Sequence, residues 1–149
     1  VALRFGNVYG PGSTHKGSVV SQFIRSALNK EEIQIFGDGL QTRDFIFIDD
    51  LVFALEKAAN KKGIGGETFQ IATNRETSIV ELAINLSEIL EKKGFAKPEM
   101  RYEVARNGDV MRNYSDTKKS KQLLDWTAET SLIDGLEKTV DYFIKNFKV

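Results

Sequence analysis

The 149-residue chain contains no cysteine, which excludes disulfides and thiolate metal sites and leaves the redox compartment undecided. Its single histidine, His15, has no neighbouring His or Cys to build a metal site with, and is read as a loop residue or a substrate contact. Neither sign of charge is in excess, with 21 basic and 21 acidic residues. A neutral balance gives no broad electrostatic footprint for nucleic acid or a membrane face, so any anion must be held by a few placed arginines. No apolar run approaches the roughly 20 residues of a membrane span, and no signal peptide precedes Val1, so the cytoplasm is the expected location. No Gly-x-Gly-x-x-Gly or Gly-x-x-Gly-x-x-Gly turn occurs. The single Tyr-x-x-x-Lys match, Tyr114 with Lys118, falls in a polar stretch and is read as chance. The two prolines, Pro11 and Pro98, act as punctuation, one in a turn and one beyond a helix end.

What remains is a composition of 41% hydrophobic and 28% charged residues, that of one soluble globular domain. A chain of this length buries roughly 70% of its unfolded surface, enough for one core. There are no internal repeats, and no linker divides residues 1–149.

The organising stretch is Gly37-Asp38-Gly39-Leu40-Gln41-Thr42-Arg43-Asp44-Phe45-Ile46-Phe47-Ile48-Asp49-Asp50. Gly37 and Gly39 flank Asp38 as a turn that lets backbone approach a ligand. Strand alternation then puts Arg43, Phe45 and Phe47 on one face and Asp44, Ile46 and Ile48 on the other. A guanidinium at the mouth of such a strand can give two parallel hydrogen bonds to phosphate oxygens. The plain alternative makes Arg43 and Asp44 surface charges of an ordinary strand.

Around it, Val1 to Phe5 reads as a short strand buried on both faces. Asn7 to Gly12 ends it, and Asn7 either binds a ligand through its amide or closes its own turn. After a polar loop, Ser18 is the expected N-cap of a helix whose stripe is Val19, Val20, Phe23, Ile24, Ala27 and Leu28. Ile33 to Phe36 is a strand. Asp49 or Asp50 is the expected cap of a helix with Leu51, Val52, Leu55, Ala58 and Ala59 inward. Thr68 to Ala72 is a strand, and Ser78 to Glu81 a capping box opening a helix that packs Val80, Leu82, Ala83, Leu86, Ile89 and Leu90. Met100 to Val104 reads as an edge strand. Asp116 caps a short helix closed by Trp126. A last helix from Ser131 presents Leu132, Leu136, Val140, Phe143 and Phe147 on one side.

Several of these segments, in order, are LRFGNVYGPG, GDGLQTRDFIFIDDLVFAL, GGETFQIATNRETSIVEL, RNGDV, SDTKKSKQLLDW and SLIDGLEKTVDYF. Together they resemble the C-terminal part of the NAD-dependent nucleotide-sugar epimerase and dehydratase family, the extended short-chain dehydrogenases, and most resemble its UDP-glucose 4-epimerase-type members. The resemblance covers the whole chain and implies an α/β fold, the substrate-binding lobe of such an enzyme with remnant strands of the Rossmann sheet. It implies that residues 1–149 are a C-terminal nucleotide-sugar-binding portion without the dinucleotide-binding lobe. For the parent enzyme it implies NAD, bound mainly by that lobe, a UDP-sugar or related nucleotide-diphosphate sugar, carbohydrate metabolism and a homodimer, with no nucleic-acid or membrane partner. It implies substrate contacts at Asn7, Val19, Gln34, Phe36, Arg43, Arg106 and Asp109, secondary ones at His15, Lys16 and Phe45, and an edge contact of the cofactor at Phe5. Arg43 and Arg106 stand where the family grips the diphosphate, and Asp109 where it meets the ribose. The physical case agrees, since two guanidiniums match the two charges of a diphosphate and a carboxylate accepts from ribose hydroxyls. The alternative is an Arg106–Asp109 surface pair worth about 0 to 1 kcal/mol. Gly6 departs from members that carry an aromatic residue there, and Phe45 and Asn113 stand where many relatives have tyrosine, which in Phe45 removes one hydroxyl contact. A nucleotide-sugar 4,6-dehydratase or decarboxylase of the same fold, or a non-catalytic binding module, would carry nearly the same motifs. No catalytic residue and no metal ligand is expected within the chain.

Overall fold

The computed structural model describes residues 1–147. Among the described residues there are four two-stranded ribbons and five helices. Strand β1 (Ala2–Phe5) pairs in parallel with β6 (Thr68–Ile71), β2 (Asn7–Tyr9) with β5 (Phe45–Phe47), and β3 (Ile33–Phe36) with β8 (Met100–Glu103). The fourth ribbon, β4 (Thr42–Arg43) with β7 (Thr77–Ser78), is antiparallel. The helices are α1 (Val19–Leu28), α2 (Ile48–Asn60), α3 (Ile79–Lys92), α4 (Lys118–Leu123) and α5 (Leu132–Asn146). Parallel pairs need crossovers, and these helices supply them.

Strand β5 separates two apolar clusters because its side chains alternate. Phe45 and Phe47 enter the cluster built from α1, α3, α5 and β3, while Ile46 enters the one built from α2, β6, Leu124 and Trp126. The expected alternation from Arg43 to Phe47 is therefore what divides the core. Ile48 touches both clusters. Trp126 is fully buried and donates its indole N–H to the Asp50 carbonyl at 3.0 Å, which closes α4 onto α2.

Several local expectations change. Strand β1 is largely exposed, with only Leu3 half-buried, because Leu3 alone of its side chains packs against an apolar cluster. Helix α2 has Phe47 at its N-cap position, and both aspartates lie inside the first turn. Asp50 is buried, accepting from the backbone N–H groups of Glu129 and Thr130 at 3.2 and 3.1 Å and so fixing the approach to α5. The buried stripe of α2 is Leu51, Ala54 and Ala58, whereas Val52, Leu55 and Ala59 face out, because the helix meets a packing layer on one side only. By contrast, α1, α3 and α5 turn their expected stripes inward, burying most of each and leaving Val19, Leu28, Val80, Leu132 and Phe147 half-buried at the margins. Ser78 and Ser131 cap α3 and α5 by accepting from the N–H groups of Glu81 and Asp134. Ser18 occupies the N-cap position of α1, but its hydroxyl pairs with that of Ser21 instead of a backbone N–H. Thr117, not the expected Asp116, stands at the N-cap position of α4, and Asp116 one residue earlier accepts from the Lys118 N–H at 2.9 Å.

Candidate functional site

A cavity of about 400 Å³ opens where the C-terminal end of β1, strand β2 and the N-terminus of α1 meet β3, β4 and the loop between β8 and α4. One wall is Phe5, Gly6 and Asn7, and Lys16 to Val20 lead into α1 along a second. Gln34 and Phe36 come from β3, Gln41, Arg43 and Phe45 from the organising stretch, and Arg106 and Asp109 from the loop. Arg43 and Arg106 are 63 positions apart in the chain (106 minus 43) and line the same cavity. Of the residues expected at the site, His15 alone is not in the lining. It is exposed on the polar loop, one residue before Lys16, which does line the cavity.

Arg43 is partly buried and held from three directions. Nη1 donates to the carbonyls of Thr42 and Val110 at 2.7 and 2.5 Å, and Nη2 donates to the Asp109 carboxylate. Asp109 thus pairs with Arg43, not with Arg106. The Arg106 guanidinium lies over the Phe36 ring, 3.8 Å from its centroid, a cation–π stack that keeps the charge at the cavity wall. Gln41, nine-tenths buried, donates its amide to the Phe36 carbonyl at 2.8 Å and to the second Asp109 oxygen at 3.4 Å. Arg25 reaches up from α1 and donates to the carbonyls of Thr14 and Lys16, fixing the loop that carries Lys16. The lining holds Lys16, Arg43 and Arg106 against the one carboxylate of Asp109, a cationic excess suited to a polyanion.

Tyr9 also lines the cavity. Burial first, then the negative charges of Asp50 and Asp134, hold its phenol far above the usual tyrosine range, so it stays neutral at working pH and serves in packing. Tyr114 and Lys118 do not share a helix, since the tyrosine is in the loop and the lysine opens α4 beside Asp116. Among the described residues no group of three or more His, Cys, Asp or Glu could hold a metal, and no helix is long and apolar enough to cross a membrane.

Residues 1–72 match the family model described as the NAD dependent epimerase/dehydratase family. The chain belongs to that family. It is 38% identical over 146 residues to a putative UDP-glucose 4-epimerase of Methanocaldococcus jannaschii, covering 97% of this chain and 45% of that protein. Identity to the UDP-glucose 4-epimerase of Mycolicibacterium smegmatis is 35%, covering 92% and 43% respectively. The solved UDP-glucose 4-epimerase of Thermotoga maritima, with UDP-glucose, superposes with a TM-score of 0.86 at 39% identity over 98% of this chain and 46% of that one. The chain therefore spans under half the length of these relatives. Its α/β architecture is that of the C-terminal part of the extended short-chain dehydrogenases, as the motifs lead one to expect.

The motifs do not reveal how this family member arranges its charges. Gln41, which sits inside the organising stretch, carries no signal beyond its place there. The pairing of Asp109 with Arg43 bridges 66 positions and has no trace in spacing.

Proposed function

We propose that the chain is the nucleotide-sugar-binding portion of an NAD-dependent nucleotide-sugar epimerase of the UDP-glucose 4-epimerase type. The observation that carries this reading is one cavity lined by Arg43 and Arg106, with an aromatic wall at Phe36 and a carboxylate at Asp109. In this reading the two guanidiniums take the diphosphate, and Phe36 and the backbone near Gln34 lie along the base. Asp109 accepts from the ribose, and Asn7 and Val19 contact the sugar and phosphate side, with Lys16 and Phe45 at its margin. A ligand diphosphate would share Arg43 with Asp109, which fixes the guanidinium plane before binding and lowers the ordering cost.

In such an enzyme NAD would take a hydride from a sugar carbon and give it back. Within this chain the fit to the cofactor is confined to Phe5, more than half exposed at the cavity rim, which offers an apolar edge and no pocket of its own. The cofactor and the proton-moving tyrosine accordingly belong to the rest of the parent enzyme, and the chain alone binds ligand weakly and catalyses nothing. A cytoplasmic homodimer acting in carbohydrate metabolism completes the reading on the strength of the family resemblance.

Product analysis of the full-length protein with UDP-glucose and NAD tests it, with UDP-galactose expected. A 4-keto-6-deoxy sugar, or a pentose from UDP-glucuronate, would move the assignment to a dehydratase or decarboxylase. Arg43→Ala should weaken UDP binding at least tenfold, about 1.4 kcal/mol, by calorimetry. Unchanged affinity would remove the clamp.

A further inference from the structure

Beside the residues that face the cavity, one carboxylate points the other way and touches the supports of three of them. Asp44 is 1% exposed. One of its oxygens accepts from the Thr73 N–H at 2.8 Å and the Thr73 hydroxyl at 2.6 Å, and the other from the N–H groups of Asn74 at 3.0 Å and Ser115 at 3.3 Å. Its own carbonyl accepts from the Asn7 N–H at 2.7 Å. Arg43 precedes it in the chain, and Ser115 lies near the end of the loop that brings Arg106 and Asp109 to the cavity.

We propose that Asp44 is a positioning residue for nucleotide-sugar binding: through its side chain and carbonyl it locks Asn7, the Arg43 strand and the end of the Arg106–Asp109 loop into one register. This rests on the function proposed above. The four donors to the carboxylate lie on two segments, Thr73–Asn74 and Ser115, so it is satisfied only while both stay in place against the Arg43 strand, and leaving any donor buried without it is costly. The backbone confirms how closely the pieces meet: a Cβ at Gly6 would lie 2.6 Å from the Asp44 carbonyl oxygen, so glycine permits that contact. The wiring divides the labour of two neighbours in sequence. Arg43 meets the ligand, and Asp44 sets where Arg43 and Arg106 are when it arrives.

A merely structural carboxylate would lower stability and leave the affinity of the folded protein alone. The test is therefore a double-mutant cycle on UDP affinity in the full-length protein, with Asp44→Asn, Arg106→Ala and both. Asp44→Asn should raise the Kd for UDP at least tenfold, and the double variant should bind within threefold of the weaker single variant, because the lost register acts through Arg106. Losses that multiply in full, or an unchanged Kd in a folded Asp44→Asn protein, overturn the proposal. Should Asp44→Asn not fold, Thr73→Val removes one donor in the same cycle. About a threefold loss is expected with Arg106 present and none with Arg106→Ala, and a loss that persists undiminished, or no loss at all, overturns it. If the wild-type protein does not bind UDP, the proposed function falls and this inference with it. If it binds UDP and Arg43→Ala weakens it while Asp44→Asn does not, only this inference falls.

Discussion

At the scale of single residues, identity and environment part company most clearly at Gly135. It lies inside α5, where replacing glycine with alanine normally gains about 1 kcal/mol of helix propensity. Here an added methyl would run into the Tyr9 phenol and come within 3.0 Å of the Phe47 ring, in the middle of the larger apolar cluster. Gly135→Ala should therefore destabilise the protein, by about 1 to 2 kcal/mol net of the propensity gain, as read from urea unfolding. A stabilised variant would mean that Tyr9 is free to move. The same divergence marks the charged residues. That Arg43, Arg106 and Asp109 line one cavity was expected from the family resemblance of their motifs, and guanidinium and carboxylate chemistry is carried by residue type. Which acid meets which base was not legible, because a pairing between residues 43 and 109 depends on how the chain returns. The same holds for Asp44 and Asp50, which read as a surface charge and a cap and prove to be buried acceptors for backbone N–H groups.

At the scale of elements, the loop from Ala105 to Thr117 matters most, because it carries Arg106 and Asp109 without regular structure of its own. It is tied to the body by the Thr42 N–H bond to the Met111 carbonyl at 2.8 Å and by a two-pronged ion pair of Arg112 with Glu76 at 2.9 and 2.6 Å. Glu76 also accepts from the Thr42 hydroxyl at 2.7 Å. Hydrogen bonds from Arg112 first, then from Thr42, hold the Glu76 carboxyl down at about 2, against an ordinary value of 4.5. A carboxyl depressed on folding contributes stability that is complete above its unfolded value and is lost as pH falls through its folded one. The stability difference between the wild-type protein and Glu76→Gln should thus be constant from pH 7 to about 4.5 and shrink toward pH 2. Urea unfolding across that range checks it, and a difference that grows toward acid would contradict the ion pair. The helices show the other side of legibility. Their stripes and the serine caps of α3 and α5 follow from local spacing and short-range chemistry, and they form where that spacing puts them. Helix α2 departs because the number of packed faces it meets is set by its neighbours, not by its own sequence.

At the scale of the whole molecule, β5 makes the two apolar clusters mechanically one. Its Phe45 and Phe47 anchor the first and its Ile46 the second, and Ile48 continues into both. Cutting Ile46 back to alanine should cost about 2 to 5 kcal/mol, since the side chain is fully buried. Because the clusters share a strand, unfolding should remain a single transition when followed by tryptophan fluorescence at Trp126 and by circular dichroism together. Separate transitions for the two probes would show that the clusters fold independently. The site depends on this unity, since Asn7, the α1 N-terminus and the Arg106 loop attach to different parts of the body.

By itself the sequence determined the α/β class, the family, three of the helical stripes and half of the residues that line the cavity. It could do so because periodicity, capping and motif chemistry are short-range properties written within a few residues of one another. Only the tertiary structure decided that Asp109 pairs with Arg43, that Arg106 stacks on Phe36 and that Asp44 braces three segments from behind. Each of these joins positions that the chain brings together only by folding, and an interaction that forms through space leaves no period or spacing along the chain.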